Sequence, residues 1–493
     1  MKMCIAVMLG LAVTVTFADG TKAYARPGSD GGPLYTARGD APRIAKMITE
    51  AQAAGRREVV IPYRNDAAND DKWIIEETVL IPSGMKVILD GARLVQADGV
   101  CCNLFANEHA WTDDRCTAKA EDRDIAIEGR NGATLDGGNW NGLGERSKPP
   151  ELAGKRLVHN CFVYFHNVKG FKVSGLKCRH QRYWATCFSF CEQGVIRDLR
   201  FEADISWVSE DGRDHRPNRL PGKYVNLWVK NGDGVNLRKG CHDIVVENIT
   251  GWTEDDVVAL TNLCGEEMKD IVEGKSTDIH HITVRNIRAG TWLWFNQVRL
   301  LCCDGAKVHD VVIDGVHDEY DPSWMNWQRN ASAVQINDSA EEYYRKRNCA
   351  MGEMRDIVIR NVTSGAGFPI RLFCPMQNVT IENLHLLPGA KGALAVQCDA
   401  EFDNVTVSGI TADETVRLFS FLNFHQAEGA ITVRNARVPE AEHLIRNSGT
   451  CQVTLENVEI GKLNGEREIK SCGGHWIGDK VPLYQDLKPG TRP

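Results

Sequence analysis

The chain is organised around one stretch, which reads Asn231-Gly-Asp-Gly-Val-Asn-Leu237, then Asp243-Ile-Val-Val-Glu-Asn-Ile249, then Thr253-Glu-Asp-Asp-Val-Val-Ala-Leu260. Its short apolar runs are typical of β-strands. Asp255 and Asp256 follow Asp233 by 22 and 23 residues. That interval is close to one turn of a parallel β-helix, whose turns stack about 4.8 Å apart. The three carboxylates are therefore expected to converge on one patch of one face.

A short run that alternates apolar and polar residues and ends in Asn or Gly recurs through most of the chain. Its copies are Ile125–Gly129, Phe171–Gly175, Ile244–Asn248, Ile282–Asn286, Val311–Gly315, Ile357–Asn361, Val379–Asn383, Val405–Gly409, Ile431–Asn435 and Val453–Asn457. Alternation with a period of two predicts strands, and a repeat near 24 residues predicts a coil of short strands. Asn and Gly fit the bends because both tolerate positive φ. The sequence therefore predicts an all-β, single-stranded, right-handed parallel β-helix over residues 60–465.

The two ends of the chain depart from the repeat. Residues 1–25 have a lysine, an apolar run and then small residues, which predicts a signal peptide and a secreted or periplasmic protein. The β-helix domain then spans 26–465, with a capping helix that begins after Asp40 and carries an apolar stripe at Ile44, Met47 and Ile48. Residues 466–493 have no repeat and are interpreted as a tail.

Composition excludes several classes of partner. The 493 residues carry a formal net charge of −8 and no long basic run, so nucleic acid is not an expected partner. No run after the signal is long enough to span a membrane. The 17 cysteines show no Cys-x-x-Cys spacing, and we expect mostly buried thiols and no metal or other cofactor.

Converging carboxylates indicate a particular chemistry. Hydrolysis of a glycosidic bond uses one carboxylic acid to protonate the leaving oxygen and another carboxylate to act on water or sugar. Crowding of like charges raises at least one pKa, which keeps a proton available near neutral pH. The residues alone do not decide which of Asp255 and Asp256 is the acid.

Asn231-Gly-Asp-Gly and Asp255-Asp256 resemble the Asn-Thr-Asp-Gly and Asp-Asp motifs of polygalacturonase-type enzymes, glycoside hydrolase family 28. The resemblance extends from about Asp40 to about Ile460 and implies a β-helical, inverting hydrolase of galactose-configured poly- or oligosaccharides. In that family the first aspartate of the pair is the acid. The resemblance therefore makes Asp255 the general acid and makes Asp233 and Asp256 the bases that activate water.

Two motifs of that family are replaced in this sequence. The stretch that matches Gly-His-Gly has no histidine, and Gln335 and Asn337 stand where the family has the arginine and lysine that hold a carboxylate. This predicts poor turnover of unesterified polygalacturonate and favours a neutral galactoside, as in the β-helical α-1,3-galactosidases of family 110. The candidate substrate-binding residues are Asn231, Trp184, Asn296, Arg299, Gln335, Asn337 and Arg371.

Two alternative functions are compatible with the same motifs. A polysaccharide lyase on this fold is disfavoured because no acidic calcium cluster lies outside the three aspartates and no cation is expected above them. A carbohydrate-binding β-helix without catalytic activity is the other alternative. We also expect the Asp255 carboxylate to be exposed, so that Asp255→Asn leaves stability nearly unchanged.

Overall fold

The computed structural model describes residues 13–16, 22–25, 39–97, 100, 102–110, 120–138, 160–203, 207–208, 214–215, 232–263, 271–291, 296–319, 332–337, 348–396 and 400–469. Among them, 29 strands join in one sheet of parallel pairs that winds around an apolar core. This confirms the predicted parallel β-helix. In the same part of the chain, no helix is both long and apolar enough to cross a bilayer.

The first elements that the structure describes are two short strands that pair antiparallel, β1 (Val13–Thr16) and β2 (Lys22–Ala25), within the predicted signal peptide. Helix α1 (Ala41–Ala53) follows. The first part of the coil also contains a 3-10 turn at Asp66–Ala68. Its strands are β3 (Glu58–Pro62), β4 (Lys72–Ile75), β5 (Val79–Ile81), β6 (Lys86–Asp90), β7 (Arg93–Gln96), β8 (Phe105–Asn107), β9 (Asp122–Arg130), β10 (Thr134–Asp136), β11 (Val163–His166), β12 (Val168–Ser174), β13 (Lys177–Arg179), β14 (Thr186–Ser189) and β15 (Glu192–Glu202).

The second part of the chain continues the coil after an antiparallel pair of two-residue strands, β16 (Trp207–Val208) and β17 (Asp214–His215). The strands of this part are β18 (Val235–Arg238), β19 (His242–Thr253), β20 (Val258–Asn262), β21 (Ile279–Thr291), β22 (Asn296–Cys302), β23 (Val308–Asp318), β24 (Ser332–Ile336), β25 (Met354–Ser364), β26 (Ile370–Leu372), β27 (Met376–Leu386), β28 (Leu394–Val396), β29 (Glu401–Ala412), β30 (Arg417–Phe424), β31 (Glu428–Asn447), β32 (Gln452–Leu463) and β33 (Glu468–Ile469). Strand β33 pairs with β31 and lies within the segment interpreted as a tail.

Helix α1 packs its apolar face on the start of the coil, and this confirms the predicted capping helix. Its side chains at Ile44 and Ile48 are buried in the same core as the first strands. Asp40 does not cap the helix through its side chain. Its backbone is in a helical conformation, and its Oδ2 instead accepts the Ile74 N–H of β4 at 2.8 Å. Glu76 Oε2 accepts the first helical N–H, from Ala41, at 3.3 Å.

Alternation of side chains fills the core of the coil. Residues paired between successive strands form a column along the coil, in which the apolar side chain of one rung lies on the apolar side chain of the rung before. One such column runs Val235, Val258, Val298, Val334, Ile370. Each of these side chains is buried, while the next residue along its strand faces away from the core. The repeat therefore sets both the core and the opposite, outward-facing columns.

All of the predicted Asn and Gly bends from Gly175 to Asn457 adopt positive φ, between about 50° and 80°, whereas Gly129 does not. Successive asparagine amides also bond to each other along the coil. Asn383 Nδ2 donates to Asn361 Oδ1 at 3.1 Å, and Asn457 Nδ2 donates to Asn435 Oδ1 at 2.9 Å. Asparagine is therefore used both for its backbone conformation and for an amide ladder that glycine lacks.

The cysteines of the described residues fit the expectation of buried thiols. Eleven of them are free, and ten of those eleven are buried. Small, weakly polar side chains of this kind pack well between stacked rungs.

We expect Asn383→Val to lower the free energy of unfolding by about 1–3 kcal/mol, because a β-branched residue there must hold φ near +55°. Asn383→Gly is expected to lose less, because glycine accepts this φ and forfeits only the amide ladder. The measurement is the midpoint of urea-induced unfolding, with Thr380→Val on the same strand as the control. Equal midpoints for the three variants would contradict the role given to this bend.

Candidate active site

The three aspartates of the central motif lie at the starts of two paired strands. Asp233 precedes β18, and Asp255 and Asp256 lie in the bend between β19 and β20. Residues adjacent in a regular strand point to opposite faces, and a bend at Glu254–Val257 removes that restriction for the pair. All three side chains are nearly closed to solvent, with exposures of 5% for Asp233, 6% for Asp255 and 0% for Asp256.

Main-chain hydrogen bonds stack the aspartates on consecutive rungs. The Ala185 N–H donates to the Asp233 carbonyl, and the Gly234 N–H donates to the Asp256 carbonyl, both at 2.9 Å. The Val257 N–H continues this ladder to the Asn296 carbonyl at 3.0 Å. A Cβ on Gly234 would lie 2.4 Å from the Val257 carbonyl oxygen, so only glycine permits this close approach of the two rungs.

One carbonyl oxygen ties the two motifs together. The Gly232 oxygen accepts Nε2–H of Gln181 at 3.1 Å, the Glu254 N–H at 3.3 Å and, more weakly, the Asp255 N–H at 3.5 Å. Gln181 is itself 1% exposed. Because Gly232 directly precedes Asp233, a hydrogen bond from the Asp255 backbone to the Gly232 oxygen restricts the position of Asp255 relative to Asp233.

Asp256 is surrounded by hydrogen-bond donors. Its Oδ1 accepts both the backbone N–H and the Nδ2–H of Asn296 at 2.9 Å. Its Oδ2 is 3.2 Å from an Arg299 guanidinium nitrogen. Contacts from a cation and two amide donors stabilise the ionised form of a carboxylate. Asp256 is therefore built to be an anion.

Asp233 and Asp255 are in a different electrostatic position. Burial, followed by the nearby Asp256 carboxylate, raises the pKa of Asp233 well above its ordinary value. Burial, followed by the charges of Asp233 and Asp256, likewise raises the pKa of Asp255, and Arg299 opposes both rises. The backbone N–H of Asp256 donates to Asp255 Oδ1 at 2.8 Å, which leaves Oδ2 for a proton. The site thus holds Asp256, whose partners favour the anion, beside two carboxyl groups whose surroundings favour the protonated form.

The other predicted residues fall into three groups. Asn296 and Arg299 contact Asp256, and the side chains of Gln335 and Arg371 follow Arg299 in register on the next two rungs. Trp184 lies on the rung before Asp233, where its ring stacks on Tyr183 and lies under the Arg238 guanidinium.

Asn337 is used differently from the other predicted residues. Its Oδ1 accepts the Cys302 N–H, and its amide nitrogen bonds to Asn348, so its side chain joins neighbouring segments of the coil. Asn231, which was predicted to bind substrate, lies outside the described residues.

Three polar residues at the site were missed by the sequence analysis. Gln181 acts through a carbonyl oxygen, and spacing does not signal such a contact. Glu254 is a fourth carboxylate, 1% exposed, whose Oε2 would lie 3.1 Å from a Cβ on Gly232. Asn236 is fully buried beside Asp233. Glu254 and Asn236 could have been found from the sequence, because each lies close to an aspartate of the motif.

One group in the described part of the chain has ligand atoms close enough to hold a metal ion, namely Glu108, His109 and Asp122. Asp122 already accepts bonds there from Ser83, Asn107 and both the backbone and the ring of His109. Its oxygens are thus used in joining segments of the early coil, away from the aspartate motif.

No family model matches the chain, and no curated protein matches it. Solved structures do match. A hyperthermoactive exopolygalacturonase from Thermotoga maritima has 14% identity and a TM-score of 0.49, covering 80% of this chain and 89% of its own. The adhesin PfbA of Streptococcus pneumoniae has 12% identity and a TM-score of 0.49, covering 90% and 91%. The catalytic domain of a family 87 α-1,3-glucanase has 12% identity and a TM-score of 0.49, and the match covers 89% of this chain and 70% of the glucanase chain.

These similar structures include hydrolases and an adhesin. The chain is similar to polygalacturonase-like β-helix proteins in its fold. Evidence for a function has to come from the residues of the site.

The expectation that Asp255→Asn leaves stability unchanged is wrong in its premise, because Asp255 is buried rather than exposed. A carboxyl group whose pKa is raised by folding contributes stability below its unfolded pKa of about 3.9, and that stability is lost as pH rises to the folded pKa. At neutral pH the wild type therefore lacks stability that it has near pH 4. Asp255→Asn removes the carboxyl group that causes this loss.

We expect Asp255→Asn to unfold at a higher temperature than wild type at pH 7, with a difference that shrinks as pH falls toward 4. Thermal unfolding over a pH series measures this, with Glu401→Gln at an exposed position as the control. A difference that stays constant with pH, or a less stable variant at pH 7, would contradict the raised pKa of Asp255.

Proposed function

We propose that this chain is an exported, inverting glycoside hydrolase that cleaves a galactose-configured poly- or oligosaccharide. The observation that carries the proposal is the stacking of Asp233 and Asp256 on consecutive rungs, with Asp255 beside them in the bend. The site combines one carboxylate held as an anion with carboxyl groups of raised pKa. Acid–base hydrolysis of a glycosidic bond requires both kinds of group.

Asp255 suits the role of general acid. Its raised pKa favours the protonated form beside the Asp256 carboxylate, which Asn296 and Arg299 stabilise as an anion, and one of its oxygens is not held by the Asp256 N–H. The assignment agrees with the one that the family resemblance implies. A proton placed on the departing oxygen lowers the charge that develops on the leaving group.

Asp256 suits the activation of water as the base, and Asp233 suits holding that water in place. Asp256 is fixed by Asn296 and Arg299, so its orientation does not depend on substrate. Asp233 Oδ1 is a buried oxygen that has no hydrogen-bond partner among the described residues. A water molecule between the two rungs would satisfy that oxygen and would be polarised by the Asp256 charge. Attack by a water held in this way inverts the anomeric centre.

Arg299 supports a second candidate function. Polysaccharide lyases abstract a proton next to a carboxylate, and a nearby cation stabilises the anion that forms. The expectation that no cation lies above the aspartates is wrong, because Arg299 is one rung from Asp256 and contacts it. The contact with Asp256 keeps this guanidinium charged and engaged, which makes it a poor proton acceptor. Hydrolysis is therefore the better-supported reaction.

Product analysis decides between the candidates. The protein is incubated with plant, algal and mucin glycans, and the products are separated. New reducing ends without the ultraviolet absorbance of an unsaturated uronide support hydrolysis. An unsaturated product supports the lyase, and unchanged glycans that nevertheless bind the protein support a binding function.

We expect Asp255→Asn to lose activity on the natural glycan by about two to four orders of magnitude, because it removes the proton donor. The same variant should lose less on an aryl glycoside, whose leaving group needs little protonation. Asp233→Asn and Asp256→Asn should be poor on both substrates, because water activation is needed whatever leaves. Steady-state rates on the two substrates measure the difference. Near wild-type turnover of the natural glycan by Asp255→Asn would overturn this assignment.

We expect unesterified polygalacturonate to be turned over much more slowly than a neutral galactoside. Gln335 carries no charge, the Asn337 amide is bonded to Asn348, and Arg299 is engaged with Asp256. A substrate carboxylate beside these groups lacks a strong partner. Comparable kcat/KM values for the two substrates would show that this site accepts uronates.

A further inference from the structure

Two cysteine side chains meet where strand β22 ends. Cys302 is the last residue of that strand, and Cys349 lies 47 residues later, ahead of β25. Their Sγ atoms are 2.6 Å apart, whereas two non-bonded carbon atoms approach to about 3.5 Å and sulfur is the larger atom. A disulfide bond is about 2.04 Å long, so a movement of about 0.6 Å separates this contact from a covalent bond.

The residues around Cys349 direct its side chain at Cys302. Cys349 Sγ also lies 2.9 Å from the Cys302 carbonyl oxygen. Asn337 bonds to both cysteines, because its Oδ1 accepts the Cys302 N–H at 3.3 Å and its Nδ2 donates to Cys349 Sγ at 3.5 Å. The Cys349 N–H donates to Asn348 Oδ1 at 2.9 Å. Both the backbone and the side chain of Cys349 are therefore held against the end of β22.

The two sulfurs are shielded from solvent in the folded protein. Cys302 and Cys349 are 0% and 4% exposed, and both belong to the apolar core of the coil. Hydrogen bonding with Cys349, followed by burial, raises the pKa of the Cys302 thiol well above its ordinary value. A thiol has to lose its proton before it attacks a disulfide, so Cys302 reacts slowly once the rungs have closed. A covalent link here therefore forms while the chain folds, and the closed rungs then protect it from reductants.

Two further cysteines lie close by and are arranged differently. Cys303 is as buried as Cys302, but it packs in a separate cluster with Leu263 and Leu301. Cys374 belongs to the same core as Cys302, and its charge raises the pKa of Cys302 less than Cys349 does. Of these neighbours, Cys349 has the closest relation to Cys302.

We propose that Cys302 and Cys349 form a disulfide bond when the chain folds in the presence of an oxidising disulfide such as oxidised glutathione. The thiolate of one cysteine attacks that reagent and releases half of it as a thiol, and the other cysteine then attacks the mixed disulfide and releases the second half. The two cysteines lose two protons and two electrons, and the reagent takes up the same number to become two thiols. In the cell the bond requires an oxidising compartment, which the proposed export supplies.

The bond would secure the strand that holds the Asp256 carboxylate. Asn296 and Arg299, which contact Asp256, both lie on β22, and Arg299 is three residues before Cys302. The bond closes a loop that contains β23 and β24, and a crosslink over a loop of this length removes conformational freedom from the unfolded chain. The effect on stability is thus exerted from behind the site, without a contact to substrate.

Peptide mapping tests the proposal. The protein is refolded from denaturant either with a mixture of oxidised and reduced glutathione or with a phosphine reductant alone. Remaining thiols are blocked in denaturant, and trypsin then leaves Cys302 on residues 300–307 and Cys349 on residues 348–355. We expect the oxidised sample to contain the two peptides linked, with a mass two hydrogens below their sum. The reduced sample should contain the two peptides separately, each with its thiols blocked.

Matched variants identify the linked sulfur, because Cys303 lies on the same peptide as Cys302. Cys303→Ala and Cys374→Ala should keep the link, and Cys302→Ala should lose it. In thermal unfolding, the oxidised wild type should unfold at a higher temperature than the reduced wild type. The double variant Cys302→Ala/Cys349→Ala should unfold at the same temperature under both conditions.

Two results would overturn the proposal. One is an oxidised wild type that unfolds cooperatively yet has Cys302 and Cys349 blocked as thiols, and the other is a link from Cys349 to Cys303 or Cys374. Mapping needs no substrate, so the outcome is independent of the proposed hydrolase. A linked protein that cleaves no glycan would keep the bond and contradict the hydrolase, and a cleaving protein without the link would do the reverse.

Discussion

The register between β18 and β20 is the constraint on which the site depends. Val235 pairs with Val258, which places Asp233 and Asp256 on consecutive rungs and brings their main chains into one ladder. A slip of one residue in a strand moves every side chain to the opposite face, so the register is secured by the apolar residues on the inner face. Gly234 permits the close approach, and the Gly232 oxygen ties the second motif to the first. The carboxylates are brought together by pairing rather than by attraction.

Such a cluster is costly, and the coil supplies the opposing stability. Burial, followed by repulsion from the neighbouring carboxylates, raises the pKa of Asp233 and of Asp255. Arg299 and Asn296 offset the charge at Asp256. The apolar core that runs through the rungs holds the motif in place despite that repulsion. The same burial and crowding that destabilise the site favour a proton on Asp255 beside an Asp256 carboxylate stabilised as an anion, and acid–base catalysis uses such a pair.

The sequence predicted those parts of the structure that repeat. The 22-to-26-residue spacing, the alternating runs and the terminal Asn or Gly residues were sufficient for the coil, its bends and the aspartate cluster. The sequence did not predict the contacts between residues whose separation along the chain does not follow the repeat. Forty residues separate Asp256 from Asn296, so no period indicated that Arg299 would contact Asp256. Gln181 binds a carbonyl oxygen, Asp40 bonds a strand instead of its helix, and the burial of Asp255 arises from packing around the bend.

The configuration of the first-formed product tests the central claim most directly. A proton NMR time course, recorded on a glycan of known anomeric configuration before mutarotation intervenes, reports the new reducing end. Water activated by Asp256 and held by Asp233, with Asp255 as the acid, predicts a first product of the opposite configuration to the bond that was cleaved. A first product of the same configuration, or an unsaturated product without a new hydroxyl from water, would contradict the account.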